Sequence, residues 1–154
     1  VFPVDGLWNA ATDYLFQCTY PGGVTMHVGS NNHYPQGVRF VGDRGWVHIT
    51  RGGLQTHPQR LMKEKIGPNE VHLATPSGDH RQGHRRDFLD CVRSRAQTIA
   101  PVEVGHRSMT PAHLGNIAMI LGRKIRWDVE KEIIRDDPAA SQMLGRAMRS
   151  PWRM

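Results

Sequence analysis

Nine histidines in a chain of 154 residues raise metal chemistry first. Zinc takes imidazole, thiolate or carboxylate ligands at short, regular spacings. His80 and His84 stand four apart, but Gly83 falls between them and the helical pattern starts near His84. They need not share a face, and no cysteine or carboxylate joins them at metal-site spacing. We expect loop histidines there and no metal. His27 and His48 each alternate with apolar strand residues, which puts them on the opposite sheet face as half-exposed or interface histidines. A catalytic base is the competing reading for each, and an ordinary histidine pKa near neutrality does not decide it. His113 runs with Ile117 and Ile120 at i, i+4 and i+7, and reads as a packed histidine.

Nucleophilic and phosphate chemistry find less support. None of the serines at 30, 77, 94, 108, 141 and 150 lies in a Gly-x-Ser-x-Gly elbow. No Gly-x-Gly-x-x-Gly follows a strand, and no Gly-Lys-Ser/Thr loop occurs. Gly42-Asp43-Arg44-Gly45 reads as a turn between strands, with no helix N-terminus behind it to hold a phosphate. A glycosidase-type carboxylate pair cannot be read from spacing alone. Cys18 and Cys91 make neither a disulfide framework nor a Cys-x-x-Cys pair, and are expected to be small buried hydrophobes.

The composition is that of a globular domain with an ordinary apolar fraction. The longest apolar-leaning run, Asn116 to Leu121, falls far short of the ~20 residues a membrane span needs. The net charge of +6 comes from scattered arginines. Arg85, Arg86 and Arg93 are interleaved with Asp87 and Asp90, an ion-paired helix face rather than the single basic stripe of a nucleic-acid groove. Val1-Phe2-Pro3 carries neither an initiating Met nor a basic leader, so the chain is expected to be a piece of a longer protein. Two unpaired cysteines fit the cytoplasm, and an exported parent would look the same once its leader is gone.

The elements that must position these residues fall in two blocks. Residues 13–57 are strand-rich. Asp13–Tyr20 and Val24–Val28 flank Pro21-Gly22-Gly23, a hairpin signal with Val24, Met26 and Val28 on one face. Val38–Val41 and Trp46–Thr50 form a second pair, and a short strand near Leu54–Thr56 follows Arg51-Gly52-Gly53. Turns this short imply antiparallel pairing. Residues 84–145 are helical. After a turn region at Gly78–Gly83, Phe88, Leu89, Cys91 and Val92 recur at helical spacing. Ala100–Val104 reads as an extended connector, with Ser108 or Thr110 capping a helix that has Pro111 in its first turn. Leu114, Ile117, Ala118 and Leu121 form that helix's apolar stripe, Gly122 stops it, and a short helix near Pro138–Leu144 closes the chain. The expected fold is a single α+β domain over 1–154, an open antiparallel sheet with helices on one face.

A resemblance adds to this reading. His84-Arg85-Arg86-Asp87-Phe88-Leu89-Asp90-Cys91-Val92, then Gly105-His106-Arg107-Ser108, His113-Leu114-Gly115-Asn116-Ile117-Ala118, Leu121-Gly122-Arg123-Lys124-Ile125-Arg126-Trp127-Asp128 and Arg149-Ser150-Pro151-Trp152 stand in this order. So do Asp5-Gly6-Leu7-Trp8-Asn9, Gly37–Gly42 and Gly45-Trp46-Val47. Together they resemble the C-terminal domain of the glucose–fructose oxidoreductase, inositol dehydrogenase and MocA family, in a bacterial type of that domain. The resemblance implies an oxidoreductase that uses NAD or NADP on a sugar, polyol or related carbohydrate, with subunit contacts on the free sheet face. In that family the Gly-rich cofactor loop, the Glu-Lys-Pro lysine and the Asp-x-x-x-His pair lie upstream. Glu64-Lys65-Ile66 lacks the proline and no Asp-x-x-x-His occurs, so no catalytic, cofactor-binding or metal residue is carried over. The resemblance implies a separate upstream dinucleotide-binding domain as partner and a chain that is inactive by itself. Loop residues able to bond hydroxyls are the substrate-facing candidates: Trp8, Asn9, Asn32, His33 and Tyr34, with His106 and Arg107. Tyr14 and Trp46 are expected where sheets pair across a twofold axis in a homo-oligomer. A non-catalytic interaction module that kept the sheet is the alternative, followed by a basic nucleic-acid-binding domain.

Overall fold

The computed structural model describes residues 1–71, 80–146 and 148–151, with the side chains of 80–82 left out. Gly78 of the expected turn and Trp152 of the closing motif lie outside the described residues. In chain order the elements are β1 (Leu15–Thr19), β2 (Thr25–Gly29), β3 (Val38–Gly42), β4 (Gly45–Thr50), β5 (Gly53–His57), α1 (His80–Ser94), α2 (Val102–Leu121), β6 (Trp127–Asp128), β7 (Ile133–Ile134) and α3 (Pro138–Gln142). Two compact units result, Val1–Ser30 with Val102–Met154, and Asn31–Pro101. All strand pairs are antiparallel and open, so the α+β class holds. Among the described residues the strands divide among three sheets of two, three and two, where one sheet was expected.

In the first unit, β1 and β2 form the hairpin that Pro21-Gly22-Gly23 announces. Gly22 and Gly23 sit at φ 80° and 82°, which glycine adopts without steric cost, and the Tyr20 N–H closes the turn on the Val24 carbonyl at 2.8 Å. Alternation turns Phe16, Cys18, Met26 and Val28 to one half-buried face and exposes Gln17, Thr19, Thr25 and His27. Helix α2 crosses β1 so closely that a Cβ on Gly115 would overlap the Phe16 ring. The expected stripe is the packed side of α2: Ile117 is buried with Ile134 and Ala140, and Leu114, Leu121, Ile125, Trp127 and Met143 close around them. Gly122, at φ 64°, ends the helix. Its N–H bonds the Met119 carbonyl and the Arg123 N–H bonds the Ala118 carbonyl, a paired 5→2 and 6→1 closure that satisfies the last turn.

The start of α2 corrects the sequence reading. The extended connector ends at Pro101, and Val102 is already helical. Ser108 and Thr110 are interior residues, not caps: their hydroxyls donate to the Val104 and His106 carbonyls at 2.6 and 2.9 Å. Pro111 therefore lies mid-helix, where it removes one backbone hydrogen bond. The segment before it stays helical with Glu103 in the first turn, favoured by the helix dipole and bonded to Arg107 one turn on at 2.5 Å.

In the second unit, β3, β4 and β5 form a meander with Phe40 opposite Val47 and Ile49 opposite Leu54. Gly45, at φ 139°, packs so tightly that a Cβ there would strike the His57 carbonyl. Val38, Phe40, Ile49 and Leu54 share one face and all are exposed, Phe40 at 63%. On the other face the Arg39 guanidinium lies 4.7 Å from the centre of the Trp46 ring, and the His57 ring stacks at 6.2 Å. His48 on that face is buried, not half-exposed as expected, and its Nε2 is satisfied by the Gln36 carbonyl at 3.1 Å. Helix α1 begins at His80, earlier than the turn Gly78–Gly83 allowed, and Arg86–Asp90 at 2.8 Å makes its solvated face ion-paired as expected. Cys18 and Cys91 are half-buried, less enclosed than expected.

Candidate functional site

Extending α2 back to Val102 creates a helical face absent from the sequence reading. His106, Met109, Thr110, His113, Ile117 and Ile120 recur at i, i+3, i+4, i+7, i+11 and i+14, one stripe down a helix. They line a groove of ≈ 830 Å³ within the first unit. That size lies inside the roughly 300–1,000 Å³ range of small-molecule sites. Leu114, Ile117 and Ile120 form an apolar floor with Trp127, Met143 and Leu144. His113, Asn116, Gln142 and Arg146 add polar groups. His113 is exposed on the groove, not packed in a core as its spacing with Ile117 and Ile120 suggested.

The opposite wall is a short hairpin braced by two ion pairs. Trp127 of β6 pairs with Ile134 of β7. Asp128 beside it is buried: one oxygen accepts the Glu130 and Lys131 N–H groups at 3.2 and 3.0 Å, the other Arg135 at 3.1 and 2.6 Å. These bonds, first that from Lys131, hold its carboxyl below the usual carboxylate range. Asp137 caps α3 by accepting the Ala140 N–H at 3.0 Å, with Pro138 following it, and takes both donors of Arg123 at 3.0 and 2.8 Å. The Arg123 bond, then that from Ala140, lowers its carboxyl too.

This hairpin carries Glu132, held at φ 52°, to the groove. Glu132 Oε1 lies 2.8 Å from His106 Nε2. A carboxylate only accepts, so Nε2 donates, and a neutral His106 keeps Nδ1 as a hydrogen-bond acceptor. The pair can take a hydroxyl hydrogen from a ligand, with the imidazole tautomer set by its carboxylate.

Among the expected substrate-facing residues, His106 alone lines this groove. Arg107, next on the helix, points its charge to Glu103. Trp8 is 81% exposed and Asn9 is exposed, both ahead of β1. Asn32, His33 and Tyr34 lie on the exposed segment before β3. Met109, Thr110 and His113 were missed, and the signal for them was the i, i+3, i+4, i+7 recurrence starting from His106; Asn116, Glu132, Gln142 and Arg146 were missed too, outside that recurrence.

No group of three or more histidine, cysteine or acidic residues suited to a metal occurs among the described residues, and no described helix is long and apolar enough to cross a membrane. Every described strand pair is antiparallel, so the described residues contain no parallel strand, glycine turn and helix of the kind that seats a pyrophosphate in a doubly wound fold.

Residues 61–154, well over half of the chain, match a family model described as the Gfo/Idh/MocA oxidoreductase family, C-terminal alpha/beta domain. The chain belongs to this family. The matched stretch contains all of the groove, so the site is part of the Gfo/Idh/MocA C-terminal domain. No curated protein and no solved structure matches the chain.

Proposed function

We propose that this chain is the substrate-side and assembly domain of an oxidoreductase that uses NAD or NADP, acting on a sugar, polyol or related carbohydrate. The family match over the groove carries the reading. The nicotinamide and the residue that moves the reacting proton belong to a dinucleotide-binding domain upstream. This chain contributes the ligand's wall. Trp127 and the aliphatic floor receive the C–H face of a sugar, while Asn116, Gln142 and the His106–Glu132 pair meet its hydroxyls.

The full gene product should reduce NAD+ or NADP+ in the presence of at least one sugar or polyol from a broad panel. Asn116→Ala should raise KM more than it lowers kcat, because it removes binding and not chemistry. The 154 residues alone should neither turn over nor bind the nucleotide. Micromolar NAD(P) binding by this chain in a calorimeter would sink the reading.

A further inference from the structure

We propose that the ligand of the α2 groove is a sugar acid, a polyhydroxylated body ending in a carboxylate received by Arg146. The inference rests on the carbohydrate reading of the groove and narrows it.

Charge around the groove is unevenly committed. Glu132 already accepts the His106 Nε2–H, so one of its carboxylate oxygens is engaged. Three other arginines of the same unit have carboxylates of their own: Arg107 has Glu103, Arg123 has Asp137 and Arg135 has Asp128, while Arg126 and Arg149 have none among the described residues but do not line the groove. Arg146 lines the groove, is exposed, and has no carboxylate partner among the described residues. A guanidinium is charged at every physiological pH and offers a planar fork that fits a carboxylate through two parallel bonds. His113 lies on the same groove without a described partner and supplies a further donor.

One permanent cation suits a monoanion. A phosphate dianion asks for more positive charge than the groove lining provides. The body joined to that carboxylate must use both surfaces of the site, apolar at Trp127 and Ile117, polar at Asn116 and Gln142. A sugar has both, through its C–H face and its hydroxyls. A fatty acid would leave Asn116 and Gln142 without partners, which costs binding.

Calorimetry on the full gene product with D-gluconate, D-glucose, D-glucose 6-phosphate and octanoate tests this. Gluconate should bind about tenfold or more tighter than glucose, the scale of a charge-assisted pair. In Arg146→Gln that preference should shrink to within about twofold, and Arg146→Lys should keep part of it as a point charge without the fork. Both variants change an exposed side chain, so folding is not at issue. Equal affinity for gluconate and glucose, or an unaltered preference in Arg146→Gln, overturns the sugar-acid inference and leaves the carbohydrate reading standing. Tighter binding of the phosphate or of octanoate also overturns it. If none of the four binds, the sugar-acid inference falls, and the carbohydrate reading is decided by turnover with the sugar and polyol panel.

Discussion

Asp128 and Asp137 show how single side chains hold the groove's wall in place. Each takes a backbone N–H and an arginine at once, and each carboxyl is held below its ordinary value. A lowered folded-state pKa means that the stabilisation is complete above the unfolded carboxylate value, near 3.9 for Asp, and is lost as pH falls through the folded value. Thermal unfolding should therefore give a flat Tm from about pH 6 to 8 and a falling limb below about pH 4. In Asp128→Asn the acid limb should be shallower and the Tm at neutral pH lower, since an amide cannot pair with Arg135 as a carboxylate does. A Tm in that variant equal to the parent's would show that the wall does not depend on this pair. The thiols follow the opposite sign. Burial pushes Cys18 up, and burial with Asp87 alongside pushes Cys91 up, which disfavours the thiolate. Both should alkylate with iodoacetamide at neutral pH more slowly than free cysteine, read by intact mass over time. The residue types were legible in the sequence here; the pairing of Arg123 with Asp137, fourteen positions on, was not.

A close constraint between elements is the crossing of α2 over β1. At Gly115 the geometry leaves no room for anything larger against Phe16. Gly115→Ala should cost on the order of 1–3 kcal/mol, the range for overpacking, despite alanine's better helix propensity. Urea unfolding reads this directly, and pairing the change with Phe16→Leu should recover part of the loss. A gain in stability would mean that the helix sits farther from the strand. The spans of β1 to β5 were readable within a residue or two, because alternation and the glycine turns both mark them, whereas β6 and β7, two residues each, were not anticipated. The start of α2 was not readable, because Pro111 and Ser108 are both common at helix beginnings. Local preference pointed to a first turn. The backbone placed it mid-helix, with hydroxyls bonding back up the chain, and the earlier start at Val102 is what aligned His106 with His113.

At the scale of the molecule, the uncovered apolar face of the three-stranded sheet is the main feature that a soluble monomer would not leave open. Val38, Phe40, Ile49 and Leu54 lie together there, while Trp46, the residue expected at a twofold axis, is engaged with Arg39 and His57 on the other face. If the chain builds a homo-oligomer, this face carries it. Sedimentation of the parent should show a concentration-dependent dimer or larger species, and Phe40→Ser should shift it toward monomer. A parent that stays monomeric at high concentration would leave the assembly role without support.

The sequence by itself determined the class of the fold, the hairpins of β1 to β5, the apolar stripe of α2 and the family, all of which rest on local periodicity and on motifs in fixed order. Tertiary structure decided the rest: the division into three sheets, the burial of His48 under the Gln36 carbonyl and the joining of Glu132 to His106 across twenty-six positions. The reason is the range of the forces. Backbone preference and hydrophobic alternation act over a few residues and leave their mark in neighbouring letters. A hydrogen bond between distant side chains exists only once packing has brought them within 3 Å or so, and no spacing along the chain records that.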